Sequence, residues 1–114
     1  MKFENIEKDL QNLLLRNIII FNNPKKLLKK GKLKLFKVKE FYYVLTLENE
    51  KGDLKEYELP FPFKSEFDKD HIKFDYNLEN FSKQNSYVYY KSKVLNFSKK
   101  SKLYNTVVVL SSYV

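Results

Sequence analysis

The sequence predicts an α+β domain, with an N-terminal helix and a short second helix packed on a mostly antiparallel sheet or half-barrel of about five to six strands. Three observations carry this expectation. Apolar residues recur at three- and four-residue spacing from Phe3 to Phe21. From Lys32 to the end the pattern changes to alternation rich in β-branched and aromatic residues. No linker, repeat or break in composition divides the 114 residues, so residues 1–114 are expected to form one domain.

Phe3, Ile6, Leu10, Leu13, Leu14, Ile18 and Phe21 form the apolar face of the first helix, expected over about residues 3 to 21. Asn23 offers an N-cap, Pro24 suits a first helical position, and Gly31 suits the left-handed residue that ends a helix. A second helix is therefore predicted from Pro24 to Lys30. A strand follows over Lys32 to Lys39, in which Leu33 and Leu35 keep one phase and Phe36 and Val38 the other. A β-bulge between residues 35 and 36 reconciles the two and puts all four lysines on one side.

Phe41 to Glu48 and Leu54 to Leu59 read as a hairpin around the turn at Glu50, Lys51, Gly52 and Asp53. The run Pro60-Phe-Pro-Phe63 stops the second of these strands, because proline cannot donate to a ladder. Ser65 and Asp68 have capping-box spacing, which predicts a helical turn. Three more strands are expected at Ile72 to Tyr76, Tyr87 to Leu95 and Leu103 to Ser112. The last is apolar on both faces and suits a central position.

Composition narrows the function classes. Hydrophobic residues make up 43% of the chain and aromatics 17%, which predicts a folded core. The absence of cysteine removes disulfides, thiolate zinc sites and thiol nucleophiles. Acidic residues near the N-terminus do not suit a secretory signal, and no apolar run spans a bilayer, so a soluble intracellular protein without a membrane partner is expected, cytoplasmic or in an organelle or virion if so encoded. The chain lacks alanine and tryptophan and holds 21 lysines and 11 asparagines. That bias fits an A/T-rich genome such as a phage or mobile element, and it weakens the net charge of +8 as a signal in itself.

The placement of charge is more informative than its total. Residues 25–39 hold eight lysines and no acid, residues 40–79 hold eleven acids against five lysines, and residues 80–114 hold six lysines and no acid. If the two acid-free segments converge in the fold, they form a positive wall.

No catalytic constellation stands out, and the chain is read as a non-enzyme. His71 is the single histidine, no serine has the glycines of a nucleophile elbow, and two glycines cannot build a phosphate loop. Glu66, Asp68 and Asp70 alternate beside His71 as hard-ligand candidates, without the glycine and terminal glutamate of an EF-hand loop. Asp53-Leu-Lys55 has the form used by some metal-dependent nucleases but falls at a turn, where Gly52-Asp53 is ordinary. No cofactor or metal is implied.

Tyr87, Tyr89, Lys91 and Lys93 alternate, so on a strand they share one face, with rings to stack on bases and ammonium groups to neutralise phosphate. Lys32, Lys34, Lys37 and Lys39 extend such a face. The expected function is a non-enzymatic binding module that docks an anionic partner, whether RNA, single-stranded DNA or a ribonucleoprotein, through these lysines and tyrosines. The competing expectation is a protein–protein interaction module, such as a phage or organelle assembly subunit or an inhibitor of a host enzyme. It would meet an acidic protein surface, or a second copy, through complementary charged patches.

Overall fold

The computed structural model describes residues 3–22, 26–77 and 102–112, together with 93, 94, 96, 97, 99 and 100. Helix α1 (Phe3–Leu13) precedes seven strands: β1 (Asn17–Asn22), β2 (Lys26–Val38), β3 (Tyr42–Glu48), β4 (Leu54–Pro60), β5 (Lys64–Asp68), β6 (His71–Asp75) and β7 (Val107–Ser112). They form one antiparallel sheet in the order β4-β3-β2-β1-β7-β6-β5. The α+β expectation of two helices on five to six strands is thereby corrected to a seven-stranded sheet with one short N-terminal helix.

Each departure from the sequence expectation has a local cause. The first helix ends at Leu13 because Ile18, Ile19 and Ile20 are β-branched and stiff in a helix, while as a strand they pair with β2 on one side and β7 on the other. The second helix does not form: residues 26–30 belong to β2. An isolated seven-residue helix is marginal in water, whereas the strand gains a ladder with β1. Ser65 and Asp68 lie in β5 rather than in a helical turn, and the last strand begins at Val107 rather than Leu103. Lys93 and Val94 are helical, not part of a strand.

Closure of the sheet follows from one short connection. β4 and β5 stand at opposite edges of the sheet, yet only Phe61, Pro62 and Phe63 separate them in the chain. A flat seven-stranded sheet holds its edge strands roughly 29 Å apart, while the path from Pro60 to Lys64 reaches about 14 Å at most. The sheet therefore curls until the end of β4 comes close to the start of β5.

The Phe61 N–H donates to the Phe41 carbonyl at 3.0 Å and extends the β3–β4 ladder, while the Phe63 N–H donates to the Asp75 carbonyl at 3.0 Å and extends the β5–β6 ladder. Residues 54–68 are one path that leaves β3 and joins β6. β2 plays the same role on the other side, since residues 26–32 pair with β1 and residues 32–38 with β3. The result is a small barrel whose circuit is completed by two strands shared between neighbours.

The interior is filled from every strand and from α1. Ile6, Leu10 and Leu13 of α1 are buried with Leu33, Tyr43, Leu45, Leu47, Ile72, Phe74, Val108 and Leu110. Tyr43, Phe61, Phe74 and Tyr76 form a chain of aromatic contacts through this core, with ring centroids 4.6 to 6.4 Å apart. No helix among the described residues is long and apolar enough to cross a membrane.

Candidate nucleic-acid interface

Alternation along a strand decides which β2 side chains face outward. Ile18 and Ile20 of β1 are fully buried, so their β2 partners Gly31 and Lys29 lie on the inner side, and Lys30 and Lys32 lie on the outer side with Ile19 and Asn17. The register of β2 against β3 shifts between Leu33 and Leu35, which makes Lys34 an extra residue at a bulge. Beyond the bulge Leu35 and Lys37 are outward, while Phe36 and Val38 share the inward phase of Leu45 and Tyr43. The bulge lies earlier than the 35/36 position expected from sequence, and it leaves Lys32 and Lys37 on the outer face with an exposed Lys34 beside them. Lys39 follows β2, is exposed, and donates its N–H to the Tyr42 carbonyl at 2.8 Å.

The two halves of β2 meet different neighbours. In the lower half Lys37 lies opposite Val44, which lies opposite Glu58, and Leu35 lies opposite Thr46, which lies opposite Glu56. Lysines and glutamates thus flank one row across three strands, at separations within about one Debye length at physiological salt. Outward-facing Val44 and Thr46 in this row are only 6% and 8% exposed.

In the upper half Lys30 and Lys32 adjoin β1 and then β7. The outward residues of those two strands are Asn17, Ile19, Phe21, Val107, Val109 and Ser111, with no carboxylate among them. Positive charge, an aromatic ring and neutral surface therefore lie side by side.

A cleft of about 610 Å³ opens where β2 changes partners. Lys32 is the last β2 residue before the register passes to β1, and it lies opposite Glu48, the last residue of β3. The β3–β4 turn then diverges from β2, so one wall is Asn17 with Lys30–Lys32 and the other is Glu48–Lys51 with Asp53. The second wall is held in shape by Asn49, whose Oδ1 accepts the Lys51 and Asp53 N–H groups at 2.9 Å each. Gly52, at φ +83°, supplies the left-handed residue of the turn.

The rest of the expected face is only partly in view. Tyr87, Tyr89 and Lys91 lie outside the described residues. Lys93 is exposed and helical, four residues before Phe97, whose ring stacks on Tyr42 with centroids 4.8 Å apart.

Glu66 and Asp68 pair in register with Lys73 and His71, Glu66 also lies 3.5 Å from the Lys64 ammonium, and Asp70 sits 3.7 Å from His71. No three metal-ligating side chains converge among the described residues. Asp53 of the D-x-K sequence is a turn residue, with its carboxylate 3.4 Å from the Asn49 amide.

Phe21, Ile19 and Lys30 belong to the face although the sequence reading assigned them to helices. The run Asn-Ile-Ile-Ile-Phe-Asn, with three consecutive β-branched residues, was the signal for a strand. No protein-family model, curated protein or solved structure matches this chain.

Proposed function

We propose that this chain is a non-catalytic module that binds single-stranded nucleic acid along the outward face of β1 and the upper half of β2. One observation supports the reading above all: Lys30 and Lys32 lie in register with a β1 surface that contains Phe21 and lacks carboxylates. A single strand needs a cationic track for its phosphates and flat apolar surface for its bases, and it binds such a face with little sequence preference. Phe21 supplies the ring, flanked by Ile19, Val109 and Leu27, and Lys30 and Lys32 supply the charge. Lys37 contributes less, because its side of the sheet holds both Glu56 and Glu58, whereas Lys32 has the single acid Glu48 opposite it on β3.

The test is anisotropy of a labelled oligonucleotide of about 15 nucleotides. Affinity is expected to fall steeply between about 50 mM and about 200 mM salt and to weaken in a Phe21→Ala variant. Absence of binding at low salt contradicts the proposal.

A second reading, protein–protein association, is favoured by β4. This strand ends the sheet, its outer edge pairs with no strand among the described residues, and Leu54 at one end is 58% exposed. It predicts concentration-dependent self-association or a stable partner complex, lost in a Leu54→Lys variant and seen by sedimentation velocity.

A further inference from the structure

The cleft at the fork between β2 and the β3–β4 turn is lined by both charge types. Yet among the described residues Lys32, Lys51, Glu48 and Glu50 form no side-chain hydrogen bond or ion pair with one another. Its volume falls within the range of small-molecule sites. A carboxylate only accepts hydrogen bonds, through two oxygens, and an ammonium only donates. A ligand that engages both kinds of group presents donors on one edge and acceptors on another, and paired donors with paired acceptors use both carboxylate oxygens and more than one ammonium proton.

Among the common bases guanine matches this most fully, because both of its edges are paired. Its N1–H and N2 amino group form a paired-donor edge, and its O6 and N7 form a paired-acceptor edge that lysine recognises. Adenine and cytosine offer donor and acceptor side by side, and uracil and thymine place their single donor between two acceptors that a carboxylate repels.

We infer that this cleft holds a guanine of the bound strand, with a carboxylate of Glu48 or Glu50 on the N1/N2 edge and Lys51 or Lys32 on the O6/N7 edge. The inference rests on the nucleic-acid reading above and adds a base preference to a face that otherwise has little. The cleft adjoins that face directly, since Asn17, Lys30 and Lys32 belong to both.

The experiment compares the intact protein on two labelled oligonucleotides of about 15 nucleotides, one all thymidine and one with isolated guanines. The guanine-bearing strand is expected to bind roughly tenfold more tightly. Inosine, which lacks the N2 amino group, should lose much of that advantage. A Glu48→Gln/Glu50→Gln variant should bring the two strands to parity without weakening thymidine binding.

Salt-dependent binding with equal affinity for the two strands overturns the guanine site and leaves the nucleic-acid face standing. Failure to bind either strand overturns both. As a readout that does not need the face, 5′-GMP is expected to shift amide resonances of residues 48–53 where 5′-UMP does not, and equal shifts from both count against the site.

Discussion

The hydroxyl of Tyr76 donates to the carbonyl of Pro60 at 2.6 Å, a buried bond that joins the end of β6 to the end of β4. These strands are not neighbours in the sheet order, so the bond lies across the seam where the barrel closes. The backbone of Tyr76 is held from the other side, its N–H donating to Thr106 at 2.9 Å and its carbonyl accepting from Asn105 at 3.2 Å. Tyr76→Phe removes the donor and leaves a buried carbonyl unsatisfied, at a cost of about 1–3 kcal/mol. Urea unfolding should show a lower midpoint with an unchanged m-value.

Tyr43 presents the opposite case. Its hydroxyl is buried without a hydrogen-bond partner among the described residues, so Tyr43→Phe is expected to leave neutral-pH stability unchanged or raise it by up to about 1 kcal/mol. Burial pushes the ionisation of Tyr43 well above the ordinary tyrosine value, with repulsion from Glu7 adding to it, and burial raises Tyr57 as well. The unfolded chain releases these protons first, so the contribution to stability is complete below about pH 10 and is lost as the pH rises through the folded values. Unfolding midpoints measured from neutral to alkaline pH should fall above about pH 10, and less steeply in the Tyr43→Phe variant. Parallel curves for the two proteins would count against this.

Gly31 is required by close approach rather than by a turn. A Cβ at this position would sit 2.8 Å from the Glu48 carbonyl oxygen and 3.1 Å from the Leu47 Cβ. Both contacts belong to a strand fixed on each side by ladders, so neither yields cheaply. Gly31→Ala is expected to cost about 1–3 kcal/mol in thermal or urea unfolding, and an unchanged midpoint would mean that the fork is looser than described.

Leu15 sits just past α1 at φ 66° with 61% of its surface exposed, while its N–H donates to Leu33 at 2.7 Å. The left-handed conformation costs a leucine roughly 1–2 kcal/mol, and glycine or asparagine fits this position better. Leu15→Asn is expected to raise the melting temperature while the backbone bond to Leu33 is retained. A lower melting temperature would show that the exposed leucine contributes packing.

What the sequence disclosed depended on whether the deciding interaction was local. The β3–β4 hairpin was legible because Gly52 and Asp53 are turn residues, while the part that Asn49 plays in holding the turn came only with the structure. α1 was misread at its end because Leu14, Ile18 and Phe21 continue its spacing, so periodicity alone could not separate a helix from a strand that starts in phase. Asn23, Pro24 and Gly31 imitated the caps of a helix, whereas Gly31 answers to the backbone of β3.

Closure was least legible. Pro60 and Pro62 read as a stop, yet the intervening Phe61 and Phe63 N–H groups serve β3 and β6 in turn. The lysine-rich segment was visible as one acid-free run, but its division into a half beside Glu56 and Glu58 and a half beside Phe21 depends on which strands β2 pairs with.

The most direct test of the proposed interface is the salt dependence of oligonucleotide binding in two double variants, Lys30→Gln/Lys32→Gln and Lys37→Gln/Lys39→Gln. If β1 and the upper half of β2 carry the strand, the first variant should reduce the slope of log affinity against log salt by about 1.4, with roughly 0.7 lost for each phosphate contact. The second variant should change it by less than half as much. Equal slopes in both variants and the unaltered protein, or a larger loss in the Lys37/Lys39 variant, would contradict the account.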